Sequence, residues 1–274
     1  MSKVSRTVAV AVGVFVFVSA LLGAQTGTAA GGATPAGTAR TGWGEPDLTG
    51  VWLAPKLGAR SGQDTFNLRQ LERLYRPEGR AKMTKLSAQD DPTLHCVPPA
   101  FPRAAMLGWP IQIIQTPGFL TVFNEAFHTF RIIPTNGRKH LGPDFLYPVY
   151  FGDPTGHWEG ETLVVDVLSF NGETWLAGAE DKPTTTSRGV WPTSDAQHIV
   201  ERWRRVDADT LEYQARVEDP QMLTGPWETP KVIFRRQPLD RIDEVKCMVK
   251  PLKSASGGTF PPVPPAAYLN QFGR

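Results

Sequence analysis

The side chains able to move protons in this 274-residue chain are few and scattered. Its five histidines are His95, His128, His140, His157 and His198, and none lies within four residues of another. Asp144 sits close to His140 in sequence, and Asp166 falls in the middle of the apolar run from Thr162 to Phe170. Both faces of this run are largely apolar, so the strand is expected to be covered on both sides, and an ionised carboxylate there is costly unless it is hydrogen-bonded or paired. Asp166 therefore reads in one of two ways: an anchor satisfied by an arginine or backbone amides, or a pocket acid or base whose pKa is shifted by burial. His140 follows the Asn136-Gly137 turn, and His198 opens a strand-like run. The candidate catalytic set is His140, Asp144, Asp166 and His198, with a solvated or simply hydrogen-bonded role as the alternative for each histidine taken alone. Their chemistry would be cofactor-free acid–base work, such as hydration, isomerisation, elimination or hydrolysis.

The missing motifs narrow this further. The chain has no H-x-H, H-E-x-x-H or Cys-x-x-Cys pattern, so a metal would need ligands from distant strands, and none is expected. G-x-S-x-G, S-x-x-K, the phosphate loop and a dinucleotide fingerprint are also absent, so no cofactor is expected.

Lys3 and Arg6 precede an uncharged stretch from Val8 to Leu22 and small residues up to Ala30, the layout of an export signal over residues 1–30. A retained membrane anchor is the alternative, but the apolar run is short for a span. Removing residues 1–30 takes Lys3 and Arg6 and no acid, so the formal charge falls from +2 to zero. A balanced chain without a basic face is not expected to bind nucleic acid. A periplasmic or secreted location without stable membrane insertion follows. Cys96 and Cys247, the two cysteines, are then expected to form a disulfide, a catalytic thiol being the alternative.

The elements that must carry these groups are strands. Residues 31–42 are rich in Gly, Ala and Thr and are expected to be a disordered linker ahead of one domain over 43–274 with an extended C-terminal tail. Strand-like runs recur at Thr49–Leu53, Ile111–Gln115, Phe119–Asn124, His128–Ile133, Thr162–Phe170, His198–Val206, Thr210–Val217 and Lys231–Arg236. Turn signals at Pro117-Gly118, Asn136-Gly137 and Asp207–Asp209 separate several of them, as antiparallel neighbours require. One helical stretch spans Leu68 to Lys85, broken or kinked at Pro77 and Gly79. The fold class is mainly β: an antiparallel barrel of about eight strands with a short N-terminal helical segment and long loops, a two-sheet sandwich being the competitor. The connections Asn171–Gln197 and Asp219–Pro230 are long enough to be lids or rims.

"DLTGVW" (Asp47–Trp52) resembles the opening Gly-x-Trp of lipocalin-like (calycin) barrels. That resemblance implies a basic side chain laid over Trp52, with Arg204, Arg235 and Arg236 as candidates. With "CVPPAFPR" (Cys96–Arg103), "FRIIPTNGRKH" (Phe130–His140), "GHWEGETLVVD" (Gly156–Asp166), "HIVERWRR" (His198–Arg205) and "VEDPQMLTGPW" (Val217–Trp227), the chain resembles a largely uncharacterised family of secreted bacterial proteins. It departs from that pattern at Leu141, where a proline is usual. The resemblance implies a lipocalin-like fold and an extracytoplasmic compartment, and no particular reaction.

Trp158, Trp175, Trp203 and Trp227 lie at strand ends and in long connections, where an indole can cover an apolar ligand or plug the core. They are the candidate ligand-binding residues. The functional expectation is an exported lipocalin-like barrel that binds a small apolar or aromatic molecule. An acid–base enzyme on the same fold is the alternative, and an envelope interaction module is a third reading.

Overall fold

The computed structural model describes residues 39–55, 67–142, 147–178, 189–245 and 247. The elements are β1 (Gly50–Leu53), α1 (Leu68–Leu74), α2 (Pro77–Lys85), α3 (Arg103–Met106), β2 (Pro110–Thr116), β3 (Phe119–Asn124), β4 (Thr129–Pro134) and β5 (Asp153–Glu159), then β6 (Thr162–Leu168), β7 (His198–Arg205), β8 (Thr210–Glu218), β9 (Trp227–Glu228) and β10 (Val232–Arg236). Every pair of neighbouring strands is antiparallel, in the order β4-β3-β2-β1-β10-β8-β7-β6-β5, with β9 on β8. The two ends of this path meet at a seam, making a nearly closed antiparallel barrel. Gly156 of β5 allows that approach, because a Cβ there would lie 3.0 Å from Ile133 Cγ2 of β4.

The mainly β barrel is thus as expected, and all eight expected strands are present. Two further strands escaped the pattern. β5 contains Pro154 and Gly156, residues that argue against a strand interior, but it is a seam strand hydrogen-bonded on one side only, where proline is tolerated. β9 has only two residues, too few to show a period. Asn136-Gly137 does not join paired neighbours; it starts the long crossing from β4 to β5. The tight turn on that side is instead centred on Gly160, with φ +59°, between β5 and β6.

The stretch expected to be helical divides at Tyr75–Arg76, and Pro77 takes the first turn of α2, where its missing N–H leaves no bond unmade. Residues 1–38, which hold the expected signal and most of the expected linker, lie outside the described residues, as do residues 248–274. Ala39 and Asp47 already close a turn, with the Asp47 N–H donating to Ala39 O at 2.8 Å.

Period-two alternation turns alternate side chains inward. On β7, Ile199, Glu201, Trp203 and Arg205 are buried, while Arg202 and Arg204 are exposed. The interior is filled by aromatic rings: Trp203 lies 4.4 Å from Tyr213, 5.6 Å from Phe101 and 6.0 Å from Phe234 between centroids. Removing one such ring from a packed core costs about 3–5 kcal/mol. Two buried charges share this space. Arg131 of β4 donates to Glu201 Oε1 at 2.6 Å and also bonds Oε2, Trp203 Nε1 donates to Oε2 at 2.9 Å, and the Arg131 guanidinium stacks 3.8 Å from the Phe101 ring centroid.

Trp52 is fully buried, and its Nε1 donates to Leu48 O at 2.9 Å. Arg236 covers the ring at 5.7 Å, as the barrel resemblance implied. The second covering arginine, also at 5.7 Å, is Arg205, which faces inward, and not the outward-facing Arg204 or the β10 neighbour Arg235. Cys96 and Cys247 form the expected disulfide with Cα atoms 5.8 Å apart, joining positions 151 residues apart in sequence. No helix among the described residues is long and apolar enough to cross a membrane.

Candidate active site

Asp166 lies on the outward side of β6. Its register partners are Thr155 on β5 and Val200 on β7, and His198, two residues before Val200, shares that outward side. The expectation of a carboxylate covered on both faces is corrected: the side chain of Asp166 is 38% exposed. Apolar residues flank it in sequence because Leu163, Val165 and Val167 point into the core, and Val164 is covered from outside. Among the described residues its partners are neither arginine nor backbone amide. His140 Nε2 is 3.0 Å from Asp166 Oδ2, and His198 Nε2 bonds Asp166 Oδ1.

His140 arrives from the segment after β4, and Asp153, at the head of β5, holds it there. Asp153 accepts from Arg138 Nη2 at 2.6 Å, from His140 Nδ1 at 3.1 Å and from the Leu141 N–H at 2.9 Å. Gly152 sets the entry of this strand: its φ is +66°, and a Cβ would meet Leu168 O at 2.5 Å. On the far side, His198 is the register partner of Glu218, and His198 Nδ1 lies 3.8 Å from Glu218 Oε2, beyond hydrogen-bond reach. The result is a continuous row across the outer face: Arg138, Asp153, His140, Asp166, His198, Glu218.

Burial acts to raise the pKa of both aspartates, but hydrogen bonds outweigh it. Those from Leu141 N–H, Arg138 and His140 hold Asp153 below the usual carboxyl range, and those from His198 and His140 do the same for Asp166. Both are therefore carboxylates at neutral pH. His140 thus lies between the two carboxylates, with Nδ1 facing Asp153 and Nε2 facing Asp166. His198 donates from Nε2 to Asp166, which leaves Nδ1 as the nitrogen whose lone pair can accept a proton. Thr155 Oγ1 lies 3.3 Å from His140 Nε2 and completes the cluster.

Of the four candidate catalytic residues, the fold brings His140, Asp166 and His198 into one bonded cluster, while Asp144 lies outside the described residues. Asp153, Arg138, Thr155 and Glu218 were missed, since nothing in their local sequence marks them apart from other surface polar residues. His95, His128 and His157 take no part: His95 Nε2 bonds Gln89 O at 3.1 Å, His128 sits in a turn with φ +50°, and His157 is on the exposed surface with Glu159. The candidate ligand-binding indoles face the core. Trp203 and Trp227 are 1% and 0% exposed, Trp175 is buried, and Trp158 packs partly buried against the same cluster. Among the described residues, no three His, Cys, Asp or Glu side chains are arranged to hold a metal ion. No protein-family model, curated protein or solved structure matches this chain.

Proposed function

We propose that this chain is an exported acid–base enzyme that needs no cofactor and acts on a small molecule at the outer face of β5–β8. The observation that carries the reading is Asp166, one carboxylate that bonds two imidazoles from different parts of the chain. In this reading His198 Nδ1 is the general base. Asp166 fixes the ring orientation and tautomer and stabilises the imidazolium that forms. His140, held between Asp153 and Asp166, fixes the other oxygen of the same carboxylate. The disulfide supports a periplasmic or secreted site of action, as does the resemblance to a secreted lipocalin-like family. The small apolar or aromatic molecule, expected between the core and the connection Asn171–Gln197, is placed here on the outer face, because the barrel axis is occupied by Trp203, Tyr213, Phe101 and the Arg131–Glu201 pair.

The test is a panel of neutral lactones, epoxides and enolisable ketones, incubated in deuterated water and followed by proton NMR for hydrolysis, ring opening or deuterium uptake. Wild-type protein is expected to turn over at least one class, with the rate falling about 10²–10⁴-fold in His198→Gln and Asp166→Asn while circular dichroism stays unchanged. Equal rates in wild type and both variants, or no turnover across the panel, would sink the proposal.

A further inference from the structure

We infer that a groove leading away from His198 recognises an organic carboxylate through Arg76, so that the substrate is an amphipathic monoanion with its reacting end at His198. The inference rests on the acid–base reading of His198.

The groove has fixed walls. The junction between α1 and α2 is stitched to the loop after β8: Arg76 N–H donates to Met222 O at 2.8 Å, and Thr224 N–H donates to Leu74 O at 2.7 Å. Tyr75 Oη bonds Pro192 O at 2.9 Å on the neighbouring loop. Between these segments, Glu218, Pro220, Leu223, Pro226 and Arg76 line an open groove of about 270 Å³, slightly smaller than most small-molecule sites and suited to a slender ligand. The groove continues past Arg76 and Pro220 to a stretch lined by Lys82, Ser194 and Met222. Its near end is Glu218, whose Oε2 is 3.8 Å from His198 Nδ1. A molecule lying in the groove therefore has one end beside the proposed base and the other beside Arg76.

Charge sets which end is which. The carboxylates at the near end have partners: Glu218 is paired with Arg216 at 2.8 Å, and buried Asp219 accepts from Ser194 N–H at 2.8 Å, Ser194 Oγ at 2.6 Å and Met222 N–H at 3.1 Å. The cations at the far end are not neutralised. Arg76 is anchored by Nε to Leu223 O at 2.8 Å, and Lys82 Nζ donates to Thr193 O at 2.8 Å. Neither makes an ion pair among the described residues, and Glu78, which also lines this stretch, is exposed. The Arg76 guanidinium, held by one nitrogen, has two terminal amino groups left, the fork that binds a carboxylate in bidentate fashion. Leu223, Pro220 and Pro226 supply an apolar middle. An anionic end would be repelled by Asp166 and Glu218 and attracted by Arg76 and Lys82, so only one orientation satisfies both ends.

The experiment uses 4-phenylbutanoate and its neutral counterpart 4-phenylbutan-1-ol, titrated into the full chain by ligand-observed NMR. The acid is expected to bind at least about tenfold more tightly than the alcohol. Arg76→Gln should remove that difference by weakening the acid alone, Arg76→Lys should restore part of it, and His157→Gln, on the exposed surface outside the groove, should leave both affinities unchanged. Equal affinities for acid and alcohol on the wild-type chain overturn the inference without any variant having to fold, as does an Arg76→Gln chain that keeps the preference. His198-dependent turnover of neutral probes without acid preference would defeat the groove alone, while Arg76-dependent acid binding without any turnover would defeat the enzymatic reading and leave the groove as a binding site.

Discussion

Arg131 on β4 and Glu201 on β7 meet across the interior of the barrel, 2.6 Å apart at Nη1 and Oε1, with side chains only 3% and 1% exposed. Strands on opposite walls are thereby tied through a pair of charges that water does not reach. Neither charge is tolerable alone. Arg131→Met should lower stability by about 3–5 kcal/mol, because it leaves Glu201 buried without its charged partner. The double replacement Arg131→Met with Glu201→Leu should recover most of that loss. Urea denaturation of the single and double variants checks this, and a double variant as weak as the single would show that packing, and not the stranded charge, carries the cost.

The strap formed by Arg138, His140 and Leu141 should loosen on acidification. Asp153 and Asp166 have folded pKa values below the ordinary carboxyl range, because hydrogen-bond donors outweigh burial. Their contribution to stability is therefore complete above the unfolded carboxyl pKa of about 3.9, and it is lost as pH falls through the lower folded values. The Leu141 amide resonance should hold its shift from about pH 7 down to about pH 5 and move below about pH 4. Asp153→Asn should abolish that step, and a wild-type transition centred near neutrality would contradict the assignment.

The cross-link should be structurally important. No thiol should titrate in the native chain without reductant, since the two cysteines are bonded to each other. Cys96→Ser or Cys247→Ser should lower stability by about 2–5 kcal/mol, the usual loss for a native bridge. Equilibrium denaturation with and without reductant measures it.

Gly156→Val should open the seam. The added Cβ alone would stand 3.0 Å from Ile133 Cγ2 and 3.2 Å from both Leu163 Cδ1 and Thr135 Cγ2. Overpacking of this kind costs about 1–3 kcal/mol. Hydrogen exchange should show extra local opening at β4 and β5, while β7 and β8 lose only the protection that the lower global stability removes.

Much of the barrel could be read in advance because its strands alternate. Ile199, Glu201, Trp203 and Arg205 point inward against Arg202 and Arg204 outward, and that rhythm survives in the sequence itself. β5 could not be read, because Pro154 and Gly156 are strand-breaking by type and are acceptable only at a seam, a property of the closed sheet. The site was legible as residue types and illegible as a connection. His140 and His198 stand 26 and 32 residues from Asp166, and the meander brings them together only through the β5–β6–β7 register. Asp153 was missed for the same reason: its partners Arg138, His140 and Leu141 come from the preceding crossing segment. The depth of Asp166 was misread because apolar neighbours on a two-sided strand do not reveal which side faces water.

With Trp203, Tyr213, Phe234 and Phe101 packed around the Arg131–Glu201 pair, the barrel is a post rather than a vessel. On the proposed reading, molecules handled at His198 would come and go without the staves parting, and their residence time would belong to the loops and not to breathing of the sheet. The slowest-exchanging amides of β7 and β8 should accordingly report global unfolding alone, and their protection should be indifferent to whether the outer face is occupied, apart from the mass-action stabilisation any bound molecule confers.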